Sequence, residues 1–593
     1  MIDVLNDSFS ILNLDEIPQR PLTPNLELLN LDSPIIYVTN DNTLKEYIVV
    51  AKNYEDLDDF CNDMESPDGT LYIPNRKVEV ADLRPSSRST HYMLTSAEAS
   101  LLLQDPRVET VSLPFYDKGE EIKPMVQYSN KWNKSGNVST DSKNWGLYRV
   151  YTGNTVSNWG YNGTGNTSGN VNITNSGRNV DVVICDGHID PNHPEFAVNP
   201  DGTGGSRVIQ YNWLQHNPAV TGGSAGTYVY DFLAGGVSNN NHGTHVAGIA
   251  CGNTQGWARD CNIYNIYPYS SGSVQADTNI NWTYYVLDYI KQFHINKPIN
   301  PLTNRKNPTI VNCSWGMTST ANLLLTGNVT FQGTKYTPAM VGYTPWASYR
   351  ATLGLIAASP IDTNIMLFMA RDSSLDADVA SCISAGIIIV GAAGNYYMYN
   401  DSYGGPNYNN ALHDITTDVP KYYMRGSSPT AANNVINVSW INNTVSEEKD
   451  EASNAGPRTD LFAPGGGIVS SYLTSGVADP RNASYYINTS SGTSMATPQV
   501  TGVLACALET YQSLNANTAL NYLIAKSTKN QLANVVSAPS TPFLNYTSLL
   551  WGPNRYVKYS KEREDYGVIT PKNNYSLRTT GLTYPRRKIK RAG

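Results

Sequence analysis

Short apolar runs of the kind that fill a covered strand recur along the central part of this chain, separated by stretches of helical spacing. Val180-Asp181-Val182-Val183-Ile184, Ile263 to Tyr267, Thr309 to Cys313, Ile387 to Gly391 and Val435 to Ser439 read as buried strands. Between them lie a helix from His242 and another near 278 to 294, in which Ile280, Tyr284, Leu287 and Ile290 recur at spacings of four, three and three. This alternation predicts an α/β fold, a parallel sheet with helices on both faces. Reactive residues in such sheets gather beyond the C-terminal ends of the strands. After Ser494 a further helix, rich in small residues (Ala496, Gly502, Ala505, Ala507), is expected to run through the middle of the domain.

Toward the N-terminus the rhythm differs. Residues 1–32 lack periodicity and read as an extended arm, whereas 33–116 carry the pattern of a small α+β unit. Tyr47 to Ala51 and His91 to Leu94 read as strands, and Val108 to Leu113 as another. Thr95-Ser96-Ala97-Glu98 has the spacing of a capping box, opening a short helix through Leu103 before Pro106. Residues 117–144 are polar, with few apolar anchors, and read as a linker open to cleavage. The main domain is expected over 145–530, with an insertion at about 317–371 that contains the hairpin-like stretch from Val329 to Tyr336. An extension over 531–593 ends in the basic run Arg586-Arg587-Lys588-Ile589-Lys590-Arg591, read as a solvated tail.

A length of 593 residues exceeds what one core supports, in keeping with more than one domain. The net charge of −8 is mild for this length and argues against a dedicated nucleic-acid binder. No apolar run reaches the roughly 18–20 residues a membrane-spanning helix needs, and the best candidate, Ile383 to Gly394, reads as a buried strand. The opening MIDVLNDSFSILNLDE has acidic residues where an export signal has basic ones, so a reducing compartment or a virion is expected rather than classical secretion. Seven cysteines, several inside apolar runs, read as small buried hydrophobes without a structural disulfide, and none has the context of a thiol protease.

The candidate chemistry lies in three segments. Gly492-Thr493-Ser494-Met495-Ala496-Thr497-Pro498 sets a serine at the start of the small-residue helix, where N–H groups and the helix dipole favour developing negative charge, and Pro498 fits a first helical turn. A Ser/Thr-rich helix cap is the ordinary alternative for that segment alone. His242-Gly243-Thr244-His245-Val246-Ala247-Gly248 supplies a base, with glycines that allow close helix packing. Its histidines are three apart, without the four-residue spacing and intervening Glu of zinc proteases, so no metal is expected. Val182 to Asp186 puts a carboxylate at the end of a buried strand, where it can hold an imidazole tautomer; an Asp capping the turn at Gly187 is the plainer alternative.

In the order Asp, His, Ser, these segments resemble the subtilisin-like serine proteases. The resemblance covers about Trp145 to Lys529. It implies a subtilisin-like three-layer fold and a serine endopeptidase acting through an acyl-enzyme, with catalytic Asp186, His242 and Ser494, a polypeptide substrate and no cofactor. Ile387 to Asn395 resembles the family's oxyanion-hole strand, which implies that Asn395 donates beside the Ser494 N–H. Asn312-Cys313-Ser314-Trp315-Gly316 resembles the strand that pairs with the substrate backbone. Pocket walls are implied at Ser271, Gly272 and Ser273, at Ser314, Trp315 and Gly316, and at Ala392, Ala393 and Gly394. Asn144 to Leu147 resembles a mature N-terminus and Phe462 to Gly465 a further landmark, while residues 45–115 are similar to an inhibitory prosegment, which implies self-processing and the chain's own prosegment as a partner.

Departures from the family pattern are specific. Gly187 and His188 stand where the family has Ser or Thr and then Gly, which removes a hydroxyl that could support the Asp186 carboxylate. The stretch from His242 to Arg259 is shorter than in members with a calcium loop, leaving Glu195 as the ligand candidate that carries over, so no calcium is expected. The second reading of the chain is a structural or binding component on a protease fold, for instance in a phage virion with other virion proteins as partners. Its support is the Asn- and Tyr-rich composition and the large insertions; the presence of all four catalytic-type residues disfavours it.

Overall fold

The computed structural model describes residues 43–71, 78–82, 87–114, 121–124, 144–153, 173, 175–230, 237–269, 282–337, 350–355, 365–443, 446–534 and 548–560. A nine-stranded sheet runs, edge to edge, Thr528–Lys529, Arg555–Tyr556, Leu461–Pro464, Ile436–Ile441, Ile388–Ala392, Thr309–Cys313, Asp181–Cys185, Asn262–Ile266 and Val208–Ile209. Only the outermost pair, Thr528–Lys529 with Arg555–Tyr556, is antiparallel. The three strands Asp181–Cys185, Thr309–Cys313 and Ile388–Ala392 are buried throughout, because both faces are covered; continuous apolar runs follow from that.

Alternate side chains of these strands enter two cores. Val182, Ile184, Ile310, Ile388 and Val390 pack with the helices Val237–Cys251 and Thr493–Thr510. Val183, Val311, Ile387 and Ile389 pack on the other face with the helices Trp282–Asn296 and Ser373–Ser384. This is the arrangement expected from the alternation of elements, a mostly parallel sheet with helices on both faces. Helix Val237–Cys251 starts ahead of the expected point, so His242 lies in its second turn rather than at its cap.

The N-terminal unit is a four-stranded antiparallel sheet in the order Glu79–Asp82, Ser89–Leu94, Lys45–Ala51, Val108–Ser112. One face carries Tyr47, Val49, Tyr92 and Leu94 against Phe60 and Met64 of the helix Tyr54–Glu65 and Ala99 and Leu102 of the helix Ser96–Leu102. Thr95 and Glu98 form the expected capping box. The opposite face, with Ile48 and Val50, joins the second core of the main body. Ser87 Oγ donates to Asp378 Oδ1 at 2.8 Å, and the His91 ring stands edge-on to Tyr284 at 5.7 Å, so the unit rests on the helices Ser373–Ser384 and Trp282–Asn296.

The stretch expected to be a plain linker contains a strand, Glu121–Pro124, paired antiparallel with Trp315–Asn322. Trp315–Asn322 pairs across its other edge with Ile365–Met369, so the insertion and Glu121–Pro124 flank one strand. The expected hairpin forms from Thr326–Phe331 and Thr334–Tyr336, turning through Gln332 and Gly333 at φ of 49° and 77°, the paired positive angles that suit the strand twist. Past residue 530, Arg555–Tyr556 extends the main sheet, with the Arg149 guanidinium 4.2 Å above the buried Tyr556 ring. All seven cysteines are buried. Among the described residues no helix is long and apolar enough to cross a membrane.

Candidate active site

Adjacent strands place the candidate residues at one end of the sheet. Cys185 is level with Cys313, and Cys313 with Gly391, so Asp186, Ser314 and the loop from Ala392 to Asn395 leave the sheet together. The His242 helix reaches this edge because Gly243 lies against the Gly187 carbonyl, where a side chain would not fit. His242 Nδ1 and Asp186 Oδ1 are 2.7 Å apart, both buried, and the Gly187 N–H donates to the same oxygen at 2.7 Å. The other histidine of the segment, His245, meets the Asn488 carbonyl at 3.2 Å, and burial pushes its pKa down to about 3, so it is a neutral packing residue.

Ser494 sits in the first turn of its helix and exchanges hydrogen bonds with Ser314. Its hydroxyl donates to the Ser314 carbonyl at 3.0 Å, and the Ser314 hydroxyl donates to the Ser494 carbonyl at 3.0 Å. The second bond has a covalent origin. Pro498 lies inside the helix, one turn beyond the expected position, and has no N–H to offer the carbonyl four residues back, which is that of Ser494. The Ser314 hydroxyl supplies the missing donor.

Asn395 is fixed by its neighbour across the site. Its Oδ1 accepts from the Thr493 N–H and the Thr493 hydroxyl, both at 2.9 Å, which turns Nδ2 the other way. Among the described residues Asn395 Nδ2 and His242 Nε2 are buried without a partner. Asn395 is tied through Thr493 to the residue next to Ser494, and His242 through Nδ1 to Asp186, which leaves the other nitrogen of each side chain open.

The profile of the subtilase family (peptidase S8) matches residues 177–539, more than half of the chain. The chain belongs to the subtilase family. It is 24% identical over 428 residues to a subtilisin-like protease of Coccidioides posadasii, covering 70% of this chain and 62% of that protein. It is 31% identical over 175 residues to an extracellular serine proteinase of a Thermus species, covering 30% and 34%. Fervidolysin from Fervidobacterium pennivorans, a keratinolytic enzyme related to subtilisin, superposes with a TM-score of 0.45 at 17% identity over 87% of this chain and 60% of that one. This subtilase spans between 28% and 62% of the length of the relatives it matches.

Two of the implied pocket walls of this subtilase stand side by side, Ser314 to Gly316 and Ala392 to Gly394, as continuations of neighbouring strands. Ser271, Gly272 and Ser273 lie outside the described residues. Gly394 has φ of 108°, and a Cβ there would lie 3.1 Å from Met369 Sδ and press on the Asn454 amide. Asn454 braces the loop, its Nδ2 donating to the Ala393 carbonyl while its Oδ1 accepts from the N–H groups of Tyr396 and Met398. Neither Asn454 nor Met369 carries a local sequence signal of this role; each reaches the loop from a distant segment.

The residues around Glu195 do not fit calcium. Glu195 is fully buried, and its carboxylate accepts from the N–H groups of Thr254 (3.0 Å) and Gln255 (3.1 Å), from the Thr254 hydroxyl and from Arg481 Nη2 (2.5 Å). Arg481 also grips buried Asp479, through Nε at 2.9 Å and Nη2 at 2.6 Å. A guanidinium thus lies between the two carboxylates where a cation would have to sit. A chelator should therefore leave Tm unchanged, whereas Arg481→Met should lower stability by about 3 kcal/mol or more by stranding two buried carboxylates; thermal unfolding with and without EDTA checks both, and a fall of many degrees in EDTA would reveal a metal site elsewhere.

Proposed function

We propose that this chain is a serine endopeptidase that hydrolyses peptide bonds through an acyl-enzyme. In this reading Ser494 Oγ attacks the scissile carbonyl, His242 Nε2 takes its proton and returns it to the leaving amine, and Asp186 holds the Nδ1–H tautomer and stabilises the imidazolium. Asn395 Nδ2 and the Ser494 N–H hold the oxyanion of the tetrahedral intermediate. The observation that carries the proposal is the buried His242 Nδ1–Asp186 Oδ1 pair at 2.7 Å, in the same subtilase-matched residues 177–539 as Ser494 at its helix start and Asn395 bonded to the adjoining Thr493. At rest the Ser494 hydroxyl donates to Ser314, so attack requires it to exchange that acceptor for His242 Nε2. Such bonds commonly form only once substrate is bound.

Self-processing extends the same reading. The N-terminal unit acts as a tethered inhibitor, and Glu121–Pro124 mimics a substrate by adding a strand to the edge of Trp315–Asn322. Pro124 is opposite Trp315, and the preceding residue Ser314 is bonded to Ser494, so a peptide continuing in this register past Pro124 would meet the nucleophile. The tether keeps that peptide there at roughly millimolar effective concentration, with no encounter needed. After the cut the unit stays bound as an inhibitor until it is degraded.

Two experiments test this. Asn395→Ala should lower kcat by about 10²–10³ with little change in KM, because the donor acts on charge that develops in the transition state; a change confined to KM would remove Asn395 from the role. Intact mass after prolonged incubation should show the wild type cut within a residue or two after Pro124 and Ser494→Ala full length. Identical full-length masses would favour a structural role on a protease fold.

A further inference from the structure

Asp186 Oδ1 accepts a third hydrogen bond, from the Tyr269 hydroxyl at 3.3 Å, beside those from Gly187 N–H and His242 Nδ1. Asp186 Oδ2 has no partner among the described residues, so every bond that orients this carboxylate converges on one oxygen. Tyr269 comes from a different segment. It lies three residues past Asn262–Ile266, the strand parallel to Asp181–Cys185, with Ile266 level with Cys185.

The ring that delivers the hydroxyl is locked by its surroundings. Tyr267 stands edge-on to it at 5.0 Å and is itself stacked on His188 at 5.0 Å. His188 in turn meets Tyr228 and Tyr230 edge-on, at 6.2 and 5.7 Å. The Tyr228 hydroxyl accepts from the Tyr267 N–H at 3.1 Å, and the Thr283 hydroxyl donates to the Pro268 carbonyl at 2.8 Å, which pins the backbone on either side of the bend. Burial, and then the charge of Asp186, push the Tyr269 hydroxyl well above its ordinary pKa, so it remains a donor.

We propose that Tyr269 is a positioning residue for Asp186, its hydroxyl adding from the neighbouring strand's end the side-chain support that Gly187, which donates only its N–H, has no hydroxyl to give. Resting on the triad reading above, this joins the two departures after Asp186 into one device. Gly187 removes a hydroxyl from the chain next to the carboxylate, and His188 supplies the aromatic platform that sets Tyr267 and, through it, Tyr269. The hydroxyl holds the carboxylate rotamer in which Oδ1 faces His242 Nδ1.

The test is Tyr269→Phe in the full-length chain, which keeps the ring and its packing and removes only the hydroxyl. Losing a hydrogen bond to a charged group should lower kcat on a peptide substrate about tenfold with KM nearly unchanged, and should slow self-cleavage alike. Adding Gly187→Ser to Tyr269→Phe, which returns a hydroxyl to the chain beside Asp186, should recover most of the loss. Wild-type kcat in Tyr269→Phe would overturn the proposal, as would a fall in kcat that merely follows a lower Tm. If the double variant fails to fold, the split between kcat and KM in Tyr269→Phe decides alone. The triad reading fails separately, by full activity in Ser494→Ala.

Discussion

The helix Thr493–Thr510 has no solvent-facing side from Thr493 to Leu508, and the rest of the structure is arranged around that burial. Packing on all sides requires small residues. A Cβ on Gly502 would lie 2.7 Å from both the Ala250 carbonyl and the Trp257 Cβ, so the His242 helix and the segment after it approach as closely as backbone permits. Two consequences reach the active site. The first turn, with Ser494, is presented at the end of the sheet with its dipole fixed by the core. Pro498 then leaves a buried carbonyl that the Ser314 hydroxyl satisfies, which ties Ser494 to the start of the strand Trp315–Asn322.

That strand is also where the chain folds back on itself. Trp315–Asn322 carries neighbours on both edges, the insertion strand Ile365–Met369 on one and Glu121–Pro124 on the other. An open edge with unpaired N–H and C=O groups is a template for extended peptide, and here Glu121–Pro124 occupies it. Side-chain cations play an analogous part in the interior. Arg481 bridges Glu195 and Asp479, and buried Lys449 donates to the carbonyls of Asp450 at 2.7 Å and Ser453 at 2.9 Å. Burial lowers the Lys449 pKa to about 7.

Much of this was legible in the sequence wherever local pattern and tertiary role agree. Doubly covered strands must be apolar throughout, so Thr309–Cys313 and its neighbours announce themselves, as do the Thr95–Glu98 capping box and the hairpin that turns at Gln332 and Gly333. The helix Tyr54–Glu65 was missed because its acidic run masks the buried stripe of Leu57, Phe60, Cys61 and Met64, and Asn53 makes no side-chain cap bond. Glu121–Pro124 and Arg555–Tyr556 carry no pattern of their own; an edge of the sheet far away in sequence makes them strands. At the candidate site, the motifs alone point to Asp186, His242, Asn395 and Ser494, whereas the contacts of Thr493, Asn454 and Tyr269 with them or their loop are made by the folded chain and carry no local signal.

The central claim is that burial of one helix and its neighbours builds a reactive serine at position 494. Its most direct test is treatment of the processed chain with a fluorophosphonate, followed by peptide mass mapping. A single adduct on Ser494, abolished in His242→Ala, is the result this account predicts. An unlabelled Ser494 in a chain whose N-terminal unit has been cut away, or labelling that survives His242→Ala undiminished, would contradict it.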